Sequence, residues 1–146
     1  MGLRFKSNFD LSQLKSVLND RIDQMYKGAV KGVKKTVEVA VEEAKDRCPA
    51  NTGTLKNSIT GKVYESPDVI KGSFGTNVEY GPYVEFGTGD KGMAQNHPSA
   101  ENSDQPVRHT ADWNGMPGTP FIYPAFLSAE HDLVENIAEG VKNEMR

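Results

Sequence analysis

The sequence predicts an α+β fold on three observations. A 3–4 spaced apolar pattern runs from residue 10 to 48, two short β-type runs flank Glu65-Ser66-Pro67, and a second helical pattern closes the chain. The expected order is a long N-terminal helix, a small antiparallel sheet, a short helix, a long loop and a C-terminal helix. At 146 residues this fits one domain, 1–146, with a core that needs no staples. A variable loop is expected at about 88–119.

In the first pattern Leu11, Leu14, Leu18, Ile22, Met25, Ala29, Val33, Val37, Ala40 and Ala44 advance in steps of three and four, the spacing of one helical face. Asp10 can cap the helix, with Gln13 in the capping-box position, and Pro49 ends it. An unbroken helix of that size would be about 58 Å long. A domain of this length has a radius of gyration of only about 15 Å. The helix must therefore project beyond the domain or break, and Asn19-Asp20 or Gly28 to Gly32 are the candidate breaks. Its charge is divided: Lys27, Lys31, Lys34 and Lys35 precede Glu38, Glu42 and Glu43. Such a stripe reads first as a solvated face with spaced ion pairs and second as a basic patch for DNA or an acidic neighbour.

Ser58–Tyr64 and Asp68–Phe74 alternate partially and read as a hairpin, which needs a third strand or the long helix against it. Residues 80–86 are aromatic-rich, and Pro82 suits the first turn of a short helix. From Gly87 to Thr119 periodicity is lost and glycine and proline accumulate, the composition of a functional loop or one ordered by binding. Pro124–Met145 is helical, with Phe126, Leu133, Ile137, Val141 and Met145 on one face.

Composition excludes several classes. A formal net charge of −3 gives no concentrated positive field for nucleic acid or an anionic membrane. No apolar stretch is long enough for a membrane span or signal peptide, and Ser7 misses the myristoylation spacing. The lone Cys48 suits a reducing compartment, so folding in a cytoplasm is expected.

Catalytic, cofactor and metal sites are all expected to be absent. Gly87-Thr88-Gly89-Asp90-Lys91-Gly92 spells the dinucleotide fingerprint, but a polar segment ending at Pro98 follows where the helix should start. His97 and His109 share their loop with Glu101, Asp104 and Asp112 at spacings that match no familiar metal pattern. No nucleophile elbow occurs, and Cys48 reads as a small packed residue.

Three segments carry a resemblance. Cys48-Pro-Ala-Asn-Thr-Gly-Thr-Leu-Lys-Asn-Ser-Ile59, Val78-Glu-Tyr-Gly-Pro-Tyr-Val-Glu-Phe-Gly-Thr-Gly89 and Gly118-Thr-Pro-Phe-Ile-Tyr-Pro-Ala-Phe126 occur in that order. Together the chain resembles the minor tail-component family of long-tailed phages (siphophages) and prophages, the tail-completion and head–tail joining proteins. Asn51 stands where that family usually has Asp, and Gly81 where it usually has Ala.

The resemblance implies a structural virion protein and not an enzyme. It implies a homo-oligomeric ring, expected to be hexameric, in the neck or upper tail, assembled in the host cytoplasm. The implied partners are the connector or stopper, the tail terminator and the tail tube, with passive contact to DNA in the lumen and none to membrane. A tail terminator or stopper of the same head–tail connector is the alternative role, and a small nucleic-acid-binding module a more remote one. The residues that match the motifs are Thr52, Gly53, Leu55, Ser58, Tyr80, Pro82, Tyr83, Val84, Glu85, Phe86, Gly87, Thr88, Gly89, Pro120, Phe121, Pro124 and Ala125. They are expected either to hold the fold or, for the aromatic segment and the loop, to form subunit contacts. Thr52 and Thr54 suit a tight turn around Gly53, and Pro120 and Pro124 an extended lead-in to the last helix.

Overall fold

In a computed structural model that describes residues 11–49, 53–88 and 115–146, two long antiparallel helices carry the rest of the chain. The elements are α1 (Leu11–Arg47), α2 (Thr54–Ser58), β1 (Thr60–Glu65), β2 (Ile70–Gly75), α3 (Gly81–Phe86), β3 (Gly87–Thr88), β4 (Met116–Pro117) and α4 (Ile122–Glu144). The α+β architecture is the expected one.

Helix α1 runs 37 residues without a break, about 55 Å. Lys45 and Arg47 in its last turn complement the negative end of the helix dipole. Neither candidate break is used, and Asp10, the expected cap, lies outside the described residues. Gly28 and Gly32 serve instead as a contact notch. A Cβ at Gly28 would stand 2.5 Å from Val141 Cα, and one at Gly32 2.5 Å from Ile137 Cα. On α4, a Cβ at Gly140 would collide with the Gly28 carbonyl. Removing three side chains lets the two backbones touch, so glycines that weaken a helix in isolation create its main tertiary contact. Beside the notch the buried Thr36 hydroxyl donates to the Gly32 carbonyl at 2.9 Å and accepts from Asn136 Nδ2 at 3.0 Å, so no polar group there is left unpaired.

Strands β1 and β2 form the expected hairpin, in register from Thr60↔Gly75 to Glu65↔Ile70. It begins two residues later than expected, because Ser58 ends α2 and the buried Ile59 turns into the core. The support it needs comes from α1. Gly61 and Gly72 lie over Val37, flanked by Val41 and Val33, and the Tyr26 hydroxyl donates to the Ser66 carbonyl at the hairpin tip (3.0 Å). The second sheet is two residues per strand, Gly87↔Pro117 and Thr88↔Met116. Gly115, Met116 and Pro117, expected in the variable loop, therefore belong to the fold; residues 89–114 lie outside the described ones.

The core sits at the C-terminal half of α1, where Val41, Ala44 and Cys48 meet Leu55, Ile59, Phe121 and Ala125, with Phe74, Val78, Val84 and Ile122 packed around them. Of the expected face of α1, Val33, Ala40 and Ala44 are buried and Leu11, Leu14, Leu18, Ile22 and Met25 are exposed. The apolar series outruns the elements that could cover it. On α4, Phe126 and Met145 are exposed. The helix starts at Ile122, so Pro124 falls in its first turn instead of in an extended lead-in.

Candidate functional site

The second and third motif segments fold into one unit around a buried carboxylate. Helix α3 starts with proline in its first turn, which needs no N–H donor there, and ends on Gly87 at φ 75°. That φ favours glycine, and a Cβ at Gly87 would run into the backbone of Met116 and Gly118. The turn places Val84 against the core and aims Glu85, only 5% exposed, at the start of α4.

Glu85 Oε2 accepts the backbone N–H of Phe121 at 2.8 Å and of Ile122 at 2.9 Å, and Oε1 accepts that of Tyr123 at 2.9 Å. A helix leaves its first four N–H groups without intrahelical partners. Here Phe121 is the N-cap and makes no side-chain cap of its own; the fourth position, Pro124, has no N–H. One carboxylate thus satisfies every orphan donor of α4, and its negative charge sits at the positive end of the helix dipole. The Thr119 N–H donates to the Val84 carbonyl (2.7 Å) and the Met116 N–H to Thr88 Oγ1 (3.2 Å), which ties down the rest of this junction.

The first motif joins from below. Gly53, at φ 71°, precedes α2, where a turn before the first strand was expected; Thr54 is the first residue of that helix. Leu55 is buried in the core, and the Ser58 hydroxyl bonds the Leu55 carbonyl and the Thr76 hydroxyl under α3. Phe121 and Ala125 are completely buried and Phe86 is 7% exposed. Gly53, Leu55, Ser58, Val84, Glu85, Phe86, Gly87, Phe121 and Ala125 therefore converge on one junction inside the subunit. Tyr80 is 42% exposed; Pro82, Tyr83, Thr88, Pro120 and Pro124 are half-buried. Thr52 and Gly89 lie outside the described residues, as do His97, Glu101, Asp104, His109 and Asp112.

Sequence reasoning offered Glu85 only as a motif residue, not as a cap. A signal was available: Phe-Ile-Tyr-Pro at a helix start carries no Ser, Thr, Asp or Asn for the N-cap and no acid in the first turn. A helix so poor in local caps needs an acceptor from elsewhere in the chain.

Three of the four lysines of the stripe are paired within the chain. Lys31 pairs with Glu144, Lys35 with Glu139 (2.6 Å) and Lys34 with Glu65 (3.1 Å), across elements rather than along α1. The hydrogen bond and charge of Lys35 hold the Glu139 carboxyl below its usual range. The other titrating features are isolated. Burial pushes the Cys48 thiol up, with the Lys56 charge pulling partly back, as expected for a packed residue rather than a nucleophile. The hydrogen bond that His131 donates to the Asp132 carboxylate raises the pKa of this exposed imidazole. Among the described residues no group of three metal-ligating side chains comes together. Gly87 follows a helix and opens β3, so it is not the strand-to-helix turn of a dinucleotide site. No described helix is long and apolar enough to cross a membrane.

Comparison with curated proteins and with solved structures finds no match. A family model does match: the family described as "Bacteriophage HK97-gp10, putative tail-component" fits residues 11–87, more than half of the chain. That span holds α1, the hairpin and α3, and ends one residue after Phe86; Glu85, inside it, grips α4 outside it. Members of the family are structural components of phage particles, not enzymes. The chain belongs to the HK97-gp10-like family of phage tail components.

Proposed function

We propose that the chain is a ring-forming subunit at the head–tail junction or upper end of the tail, where it completes the tail or joins it to the head. Membership of the tail-component family carries this reading. The coarser part, a structural role in the virion beside other tail or neck proteins, follows from the family itself. The finer part is supported by the shape of the chain: α1 extends past the elements that cover it, and exposed Tyr80 caps a well-braced short helix on which Tyr83 is half-buried. Rings arise from heterologous contacts that close by rotation, and a chain with separate exposed surfaces is suited to them. The expected neighbours are the connector or stopper, the tail terminator and the tail tube. DNA contact, if the ring lines the channel, is passive, since Lys31, Lys34 and Lys35 are already paired.

The test is electron microscopy of lysates from a phage that lacks this protein. Full heads beside separate, complete tails are the expected result. Joined, infectious particles without the protein overturn the proposal, and so does immunogold label at the distal tail tip.

A further inference from the structure

We infer that the N-terminal arm of α1, residues 11–25, seats along the outer face of α4 of a second copy of this chain. This rests on the ring reading above for its closed geometry but concerns which surfaces meet.

The arm carries Leu11, Leu14, Leu18, Ile22 and Met25 in 3–4 spacing, and all five are exposed, Leu11 at 68%. The series continues in phase into Val33 and Val37, which the hairpin covers, so the arm is the uncovered end of a packing seam. Arg21 Nη1 reaches the Met145 carbonyl at the end of α4 (3.5 Å). Ten residues of α1 therefore extend beyond the helix pair, about 15 Å. Five such side chains expose several hundred Å² of apolar surface, the range at which a patch on a soluble protein marks an interaction site.

Helix α4 bears a second seam without a partner among the described residues. Leu127, Val134, Ala138 and Met145 are exposed, Val134 at 75%, with His131 and Val141 completing the 3–4 steps. Apart from Val141 at its edge, which is half-buried beside Gly28, this stripe lies off the face that α4 turns to α1 through Ile137 and Gly140. The subunit's own arm belongs to that same α1 and runs past the end of α4, so it cannot cover the far side. Two 3–4 seams of similar length, about 22 Å on the arm and about 27 Å on α4, suit shallow-angle helix packing. Their borders are opposite in net sign: Lys15 and Arg21 flank the stripe on the arm, and Glu130 and Glu135, with Lys142 as the one cation beside Glu135, flank the stripe on α4. Since one chain holds both halves of the contact, on surfaces that adjoin within the subunit where Arg21 reaches Met145, the contact propagates head to tail, the kind that closes into a ring.

The experiment is sedimentation velocity on the full chain over a concentration series, with Leu18→Asp in the arm and Val134→Asp on α4. Both side chains face solvent in the subunit, so circular dichroism of either variant should match wild type. The pair Leu14→Arg and Ala138→Arg repeats the test at other positions. Wild type should form oligomers and each single variant should be a monomer. An equimolar mixture of L18D and V134D should give a 1:1 heterodimer and nothing larger, because the intact α4 of the first accepts the intact arm of the second. A Val134→Asp protein that keeps the wild-type mass overturns the inference and points to arm–arm pairing; a monomeric wild type, or a mixture that stays monomeric, overturns it as well. Sedimentation reads self-association alone, while the lysate assay reads the place in the particle. Either proposal can thus fail while the other stands.

Discussion

The Glu85 carboxylate accepts the Phe121 backbone N–H at 2.8 Å, across 36 positions of sequence. That bond and its two neighbours make the start of α4 depend on a residue of α3. Glu85→Ala should leave three backbone donors in a poorly solvated place, at a cost of about 3 kcal/mol, or a melting temperature lower by roughly 10 °C. Glu85→Gln keeps one acceptor oxygen and should lose less. Thermal melting decides it; an Ala variant that melts with wild type removes the cap from the account.

The glycine notch gives a prediction whose sign opposes helix propensity. Gly→Ala in an exposed helix gains up to about 1 kcal/mol. At Gly28, Gly32 or Gly140 the added methyl meets backbone of the facing helix. Each should cost about 2 kcal/mol or more through overpacking. Gly75, at the end of β2, has nothing within 4 Å of an added Cβ, so Gly75→Ala is the control and should change stability by less than about 0.5 kcal/mol. Urea denaturation of the four variants would compare them directly, and a stabilised Gly28→Ala would show that the helices do not touch there.

The aromatic segment separates into two behaviours. Phe86 is buried within the subunit, so Phe86→Ala should cost about 3–5 kcal/mol and fail by misfolding. Tyr83 is half-buried at the surface, and Tyr83→Ala should leave a folded subunit. If Tyr83 fills a pocket on a neighbour, unjoined heads and tails will accumulate beside that folded protein, as expected of aromatic anchors. Complete infectious particles from Tyr83→Ala would withdraw the contact assigned to it.

Replacing Lys31, Lys34 and Lys35 together by Gln removes three exposed ion pairs. Exposed pairs contribute under about 1 kcal/mol each, so the fold should survive with a small loss that shrinks as salt is added. Double-stranded DNA should bind the wild-type chain weakly, and the variant hardly differently. A steep salt dependence of DNA affinity, abolished in the variant, would revive the basic-patch reading.

The elements were legible in the residues alone: two helices from 3–4 spacing, a hairpin from alternation around Ser66-Pro67, and a short helix announced by Pro82. Those are local properties, set by side-chain periodicity and backbone stereochemistry, and three motifs in order were enough to indicate the family. Which of these local features find partners depends on the folded arrangement. Gly28 and Gly32 look like a break in one dimension and become a notch once Gly140 arrives from more than a hundred residues away. Leu11 to Met25 continue the pattern of Val33 and Ala40, yet α4 and the hairpin do not extend far enough to bury them. Glu85 sits beside Phe86 in a motif, and only folding carries the first turn of α4 within 3 Å of it. Burial and capping depend on where a second piece of chain arrives, and no local spacing encodes that arrival.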